Sequence, residues 1–266
     1  MFGDLLKTRE NLSANQRKAL RTSASAVIDV VPIPWDLEIL AWKYGTDKVL
    51  HGYMQHYKKH FSPFRHKKIN LLEIGIGTYG PRGGGASLRT WRHYFSKGNI
   101  NGLDIVDKVE HQEKRIKTYK GDQSDEEFLL QTARDIGPLQ IIIDDGSHIN
   151  SHVAASFRTL FPILEVGGVY VIEDIQTSYL SAMGGSSTDL NKSGTSMNLA
   201  KDLCDNVNSM FIPNKEISYL DRHVESVHFY RNIIFIHKGD NSSYKVHEYA
   251  LHMMDKETQG KKQQYS

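Results

Sequence analysis

Two acidic pairs and one histidine carry the first chemistry legible in this chain of 266 residues. The stretch Ile141-Ile-Ile-Asp-Asp-Gly-Ser-His148 runs from an apolar segment into Asp144, Asp145 and His148. Val169-Tyr-Val-Ile-Glu-Asp174 ends the same way in Glu173 and Asp174, with Glu173 lying 28 residues beyond Asp145. That interval is about one strand-helix-strand unit. Asp145, Glu173 and Asp174 are therefore expected to converge where two neighbouring parallel strands end, at the edge where open α/β sheets bind ligands. Three carboxylates in one crevice repel one another unless something positive joins them. An all-oxygen set without cysteine or clustered imidazoles favours a hard divalent ion, Mg²⁺ above all. The competing explanation is that some of these acids only cap the helices that follow. His148 stands three residues after Asp145, and an imidazole with an ordinary pKa near ~6.5 is suited to removing a proton at neutral pH. Beside a metal it is the candidate general base. His152 is the nearest competitor, but it falls inside the following helix.

A second constellation precedes it. Leu71-Leu-Glu-Ile-Gly-Ile-Gly77 is a strand running into glycines, which let the backbone turn sharply and approach a ligand with no Cβ in the way. Through Gly80 it matches the dinucleotide pattern GxGxxG, a pattern several nucleotide-binding families share. Asp104 closes the next strand 27 residues after Gly77 and can accept both hydroxyls of a ribose, whether of NAD or of S-adenosylmethionine. Asp122, after a third strand, can accept from an adenine amino group, with Gln123 as a second contact. Glu73, just before the glycines, suits a cationic ligand such as a sulfonium or α-amino group and would repel a pyrophosphate. That weighs against a nicotinamide cofactor.

The elements that must position these residues follow from periodicity. Apolar runs at Ile69–Ile76, Ile100–Val106, Leu139–Ile143 and Val169–Ile172 are apolar on both faces, as a helix-covered parallel sheet requires. Ile116–Lys120 adds a shorter strand. Helices are expected over Ser87–Phe95, Asp125–Ile136, Ser151–Leu164 and roughly Met197–Met210. The alternation predicts a doubly wound, Rossmann-like α/β sheet, mostly parallel. Val224–Arg231 and Ile233–Lys238 almost abut, with Arg231-Asn232 as the turn, so an antiparallel hairpin is expected at one edge. Residues 1–68 form an N-terminal helical extension or lid, broken at Val31-Pro-Ile-Pro34; 69–240 form the catalytic domain and 241–266 a solvated tail. Tyr53, Tyr57 and Phe61 recur on one helical face. Either they pack onto the main domain, or this segment, with Tyr44-Gly-Thr-Asp-Lys48, lids a ligand pocket. His56 and His60 also stand four apart, but no third ligand lies near them in sequence and no metal site is expected there. The loop 176–198, dense in Ser, Gly, Thr and Asn, reads as a substrate lid.

Composition bounds the rest. Hydrophobic residues make up 39% and charged residues 24%, the balance of an ordinary globular protein. A formal charge of +2 predicts no field toward nucleic acid or membrane. A single cysteine, Cys204, cannot form an internal disulfide, and with no signal peptide or spanning segment read, a cytoplasmic location is expected. A homo-oligomer is left open.

With these residues in place, the sequence resembles the class I S-adenosylmethionine-dependent methyltransferases. More narrowly, it is similar to the metal-dependent sugar O-methyltransferases of the macrocin and mycinamicin type. The matching segments are Leu72-Glu-Ile-Gly-Ile-Gly77, Gly83-Gly-Gly-Ala-Ser-Leu-Arg-Thr-Trp91, Gly102-Leu-Asp104, Gly121-Asp-Gln123, Asp144-Asp-Gly-Ser-His148 and Glu173-Asp174, in family order. The resemblance implies that Asp145, Glu173 and Asp174 ligate Mg²⁺ and that His148 is the general base. It implies that Glu73, Gly75, Gly77, Asp104, Asp122, Gln123 and Asp144 hold S-adenosylmethionine. The acceptor would be the hydroxyl of a sugar, on a glycosylated natural product or a saccharide. A catechol-type or other small-molecule hydroxyl is the next reading. An NAD-dependent oxidoreductase and a non-catalytic adenosyl-ligand-binding protein are remoter ones, because neither needs the convergent acids beside His148.

Overall fold

The computed structural model describes residues 36–77, 83–212 and 214–241. The Val31–Pro34 break, Gly80 of the glycine pattern and nearly all of the expected C-terminal tail lie outside the described residues. Seven strands form one sheet: β1 (Asn70–Ile74), β2 (Asn99–Asp104), β3 (Ile116–Lys120), β4 (Leu139–Asp144), β5 (Leu164–Glu173), β6 (Val224–Tyr230) and β7 (Ile233–Lys238), in the order β3-β2-β1-β4-β5-β7-β6. The first five pair in parallel, and β7 runs antiparallel to both β5 and β6. The expected doubly wound sheet with its closing hairpin is what the chain forms, and Arg231-Asn232 is the turn, with Asn232 at φ 66°. Strand order reverses between β1 and β4, which is the place where such sheets leave a crevice at their carboxyl edge.

Helices cover both faces. On one lie α1 (Leu37–Tyr44), α2 (Met54–Phe61) and α3 (Ala86–Tyr94); on the other lie α4 (Glu126–Ile136), α5 (Asn150–Leu160) and α6 (Ser196–Val207), while a short α7 (Tyr219–His223) leads into β6. Asp36 caps α1 by accepting from the amides of Glu38 and Ile39, and Gly45 at φ 77° ends it in the left-handed conformation. α5 stops at Leu160, four residues short of expectation. Pro162, two residues on, cannot donate to another helical turn, and Leu164 already pairs with Leu139 as the start of β5. No helix among the described residues is long and apolar enough to cross a membrane.

Strand parity decides which acid faces which layer. Side chains alternate along a strand, and Leu71, Ile141, Ile143, Val169, Val171, Ile233 and Phe235 all belong to the core under α1–α3. Glu73, Asp145 and Glu173 continue those rows and so face the same helices. Asp144, one residue out of phase, faces α5 instead, where it meets Gln123 and Tyr170. The three rings at Tyr53, Tyr57 and Phe61 are buried in that core together with Leu37, Leu40 and Trp91. The segment before β1 is thus part of the sandwich over its described length. Phe61→Ala should lower the unfolding free energy by about 3–5 kcal/mol, the cost of emptying a fully buried aromatic site, measured by urea denaturation. A loss under about 1 kcal/mol would mean that α2 is not part of the cooperative core.

Candidate active site

The carboxyl edge of β1, β4 and β5 holds the acids, and at their centre is a cation that sequence reasoning did not assign. Lys48, on the single turn Asp47–Val49 between α1 and α2, is 2% exposed. Its Nζ lies 2.5 Å from Asp145 Oδ2, 2.6 Å from Glu173 Oε1 and 3.2 Å from Glu73 Oε1. Burial alone would pull an ammonium down, but Asp145, Glu173 and Glu73 outweigh it and hold Lys48 well above its ordinary value. Burial raises the acids in turn, against the pull of Lys48: Glu73 is pushed up to about 6, and Glu173, which also feels the charge of Asp145, stands well above the usual carboxylate range. Glu73 also accepts from Trp91 Nε1 at 3.1 Å, and Tyr57 donates its hydroxyl to Glu173. The cationic partner that Glu73 calls for is therefore, in this structure, the protein's own lysine.

Asp145 also faces outward from this cluster, where it meets Asp174 and His148. His148 Nε2 lies 3.9 Å from Asp145 Oδ1 and 3.8 Å from Asp174 Oδ2, and all three side chains are between 21% and 26% exposed. Each acid is held by its other oxygen: Asp145 Oδ2 by Lys48, and Asp174 Oδ1 by Tyr53 at 2.7 Å and Asn232 at 3.0 Å. Asn232 also donates to the Tyr53 hydroxyl and accepts from the Gln176 amide, so the hairpin turn is part of the site. His148 and Asp174 both adopt positive φ, 56° and 54°. That conformation costs a non-glycine residue about 1–2 kcal/mol and occurs where surroundings over-determine it.

Lys48 is paired with Glu73, Asp145 and Glu173, and Asp174 stands beside Asp145 at His148, so negative charge is in surplus when all four acids are ionised. Asp145 and Asp174, whose oxygens meet around His148, fit a hard divalent cation; Glu173, the third expected ligand, groups instead with Glu73 and Asp145 and is committed through Oε1 to Lys48 and Tyr57. His152 is not part of this group; its Nδ1 lies 3.1 Å from Ser147 Oγ.

The residues expected to bind a cofactor lie in two layers. Gly75, at φ 87°, sits where a Cβ would come 2.0 Å from the Asp145 carbonyl oxygen, so only glycine lets β1 end against β4. Gly77 and Asp104 lie beside it: the amides of Ile76 and Val106 donate to Asp104 at 3.0 and 2.9 Å, and buried Lys108 donates to the carbonyls of Gly77 and Gly83. Asp122 is exposed at the end of β3 and accepts from Ser124. Gln123 and Asp144 are buried beneath the surface: Gln123 Nε2 donates to Asp144 and its Oε1 accepts from the Ser147 amide, shaping the loop that carries His148. The loop 176–198 is tied down by buried Asn150, which donates to the carbonyls of Thr177 and Met183 and accepts from Ser178 and Ser196.

The missed residues, Lys48, Tyr53, Tyr57 and Asn232, had one usable signal. Parity puts three acids on the face that α1, α2 and the turn between them cover, which demands donors from that segment; it does not point to Asn232 on the hairpin turn. Lys48→Met should cost about 3–5 kcal/mol of stability at pH 8, the penalty for stranding buried charge. The raised carboxyls Glu73 and Glu173 give stability that is present below the ordinary carboxylate range and lost as pH rises through their folded values. Without Lys48 that loss deepens, so the deficit should shrink toward pH 5. Urea denaturation at both pH values checks it, and a pH-independent deficit contradicts it.

No family profile matches the chain. Mycinamicin VI 2''-O-methyltransferase of Micromonospora griseorubida is 46% identical over 212 residues, which are 77% of this chain and 53% of that protein. Demethylmacrocin O-methyltransferase of Streptomyces fradiae is 46% identical over 213 residues, 78% of this chain and 54% of that protein. The MycE methyltransferase from the mycinamycin biosynthetic pathway, solved in complex with Mg, SAH and mycinamycin VI, superposes with a TM-score of 0.77 at 44% identity, covering 81% of this chain and 56% of that one. The chain spans about half the length of the curated relatives it matches. It is a homologue of these macrolide O-methyltransferases, and its sheet, helices and closing hairpin are the fold of a class I S-adenosylmethionine-dependent methyltransferase.

Proposed function

We propose that this protein transfers a methyl group from S-adenosylmethionine to a sugar hydroxyl of a glycosylated natural product or saccharide, in a Mg²⁺-dependent reaction with His148 as base. The observation that carries the proposal is the meeting of His148 Nε2 with the outward oxygens of Asp145 and Asp174, at 3.9 and 3.8 Å. It is supported by the likeness to a methyltransferase solved with Mg, SAH and a macrolide. When bound, Mg²⁺ supplies positive charge that stabilises an acceptor oxygen as it loses its proton, and S-adenosylmethionine supplies the methyl group.

Asp145 and Asp174 hold the ion, with Glu173 behind them, and Lys48, Tyr53 and Asn232 fix the opposite oxygens of the two outer acids. His148 takes the acceptor's proton at Nε2, the nitrogen that faces both acids. Gly75, Gly77 and Asp104 receive the adenosyl ligand at the ends of β1 and β2. Gln123 and Asp144 keep the loop of His148 in register from below. The anchored 176–198 loop borders the acceptor, with Tyr179, Leu180 and Leu190 exposed on it as apolar surface.

A methylation screen against glycosylated natural products and free deoxysugars, with and without Mg²⁺, tests the proposal. Chelation should abolish turnover and leave S-adenosylhomocysteine binding largely intact, whereas full activity in excess EDTA would remove the metal from the scheme. His148→Ala should lower kcat by ~10²-fold or more with unchanged S-adenosylhomocysteine affinity. Near-normal turnover in that variant would place the base elsewhere.

A further inference from the structure

His56 and His60 have no third ligand near them in sequence, yet the fold supplies partners for one of them from the far end of the chain. His60 on α2, His228 on β6 and His237 on β7 each bring one ring nitrogen within 4.8 Å of the other two. His60 Nδ1 and His237 Nε2 are 2.7 Å apart, and the Tyr230 hydroxyl lies 3.0 Å from His60 Nε2. The His60 ring stacks on Phe235, with centroids 4.3 Å apart. His60 is 5% exposed, and His228 and His237 are half-buried. The acidic centre is elsewhere: Ile233 pairs with Glu173, whereas His237 pairs with Val169, four residues further along, or about 14 Å at ~3.4 Å per residue.

We propose that His60, His228 and His237 form a second metal site, for a borderline divalent transition ion such as Zn²⁺, which clasps α2 to the closing hairpin. Three imidazoles make a tetrahedral site with a fourth position for water. Burial, reinforced by the neighbouring rings, pushes His60 down to about 3 and His237 to about 4, so at neutral pH both are uncharged and keep a lone pair to offer. Nitrogens bound tetrahedrally at ~2.0–2.1 Å stand about 3.3 Å apart, so the His60–His237 pair opens by only about 0.6 Å to admit the ion. His60 Nε2–H then donates to the Tyr230 hydroxyl, the outer hydrogen bond that fixes the tautomer of a metal-bound ring. Lys59, which donates to that hydroxyl at 3.1 Å, is exposed, and water screens its charge. The His60–His237 pair alone would serve as a core hydrogen bond. The third imidazole, whose Nε2 lies 3.0 Å from Ser226 Oγ, adds nothing to that bond.

The test is equilibrium dialysis of the whole protein against Zn²⁺, and against Co²⁺ for its visible d–d absorption, in excess Mg²⁺ to occupy the acidic centre. One ion bound per chain and a raised Tm are expected. His228→Ala and His237→Ala should each weaken binding by at least ~10–100-fold, while Asp174→Asn leaves it intact. Absence of binding, binding unchanged in the histidine variants, or binding lost with Asp174→Asn would each overturn the site. If His237→Ala fails to fold by far-UV circular dichroism, His228→Ala on the half-exposed edge strand decides alone.

Discussion

The ion cluster around Lys48 is the interaction on which the site depends. A buried ammonium is costly to desolvate, by several kcal/mol even after relaxation, and is tolerated only with good geometry and full pairing. Here three carboxylates from three strand ends, Glu73, Asp145 and Glu173, supply that pairing. The reverse holds too: burial raises all three acids, and the charge of Lys48 is what pulls each of them back down. Lys48 rides on the turn between α1 and α2, so the same contact that neutralises the acids docks the helices. Tyr57 on α2 reaches Glu173 and Tyr53 reaches Asp174, and Phe61 and Trp91 seal the layer beneath.

That arrangement divides the acids by task. Glu73 and Glu173 are spent on Lys48 and lie in the core, while Asp145 and Asp174 give one oxygen to the scaffold and turn the other outward. The scaffold contacts preorganise the two outward oxygens, which is where a preformed electrostatic site gains most over water. The hairpin closes the arrangement: β7 pairs Ile233 with Glu173, and the turn residue Asn232 grips Asp174.

Much of this was legible in the sequence. The apolar runs located all seven strands, Ile116–Lys120 and Ile233–Lys238 to the residue, and the Arg231-Asn232 turn followed from the lack of room for anything longer. The 28-residue interval correctly brought Asp145 and Glu173 to neighbouring strand ends. What did not emerge was long-range. Nothing local in Tyr44-Gly-Thr-Asp-Lys48 says that its lysine meets an aspartate 97 positions later, because that contact exists only once the sheet has assembled. Adjacent Asp144 and Asp145 looked alike as letters, yet period-two alternation sends them to opposite faces, one to support Gln123 and one to the crevice. The histidines at 60, 228 and 237 were scattered for the same reason: a helix and two strands of distant sequence had to pack before they shared a point.

In the proposed site, Lys48 and a divalent ion share the acidic edge, with the lysine on the inner carboxylates and the ion on the outward oxygens of Asp145 and Asp174. The most direct measurement is a crystal structure with Mn²⁺ and S-adenosylhomocysteine, reading the anomalous signal of the metal. One peak is expected within coordination distance of Asp145 and Asp174 beside His148, with Lys48 still paired to Glu73 and Glu173. A peak at the position of Lys48 Nζ with the lysine displaced, or no peak near Asp174, would contradict it.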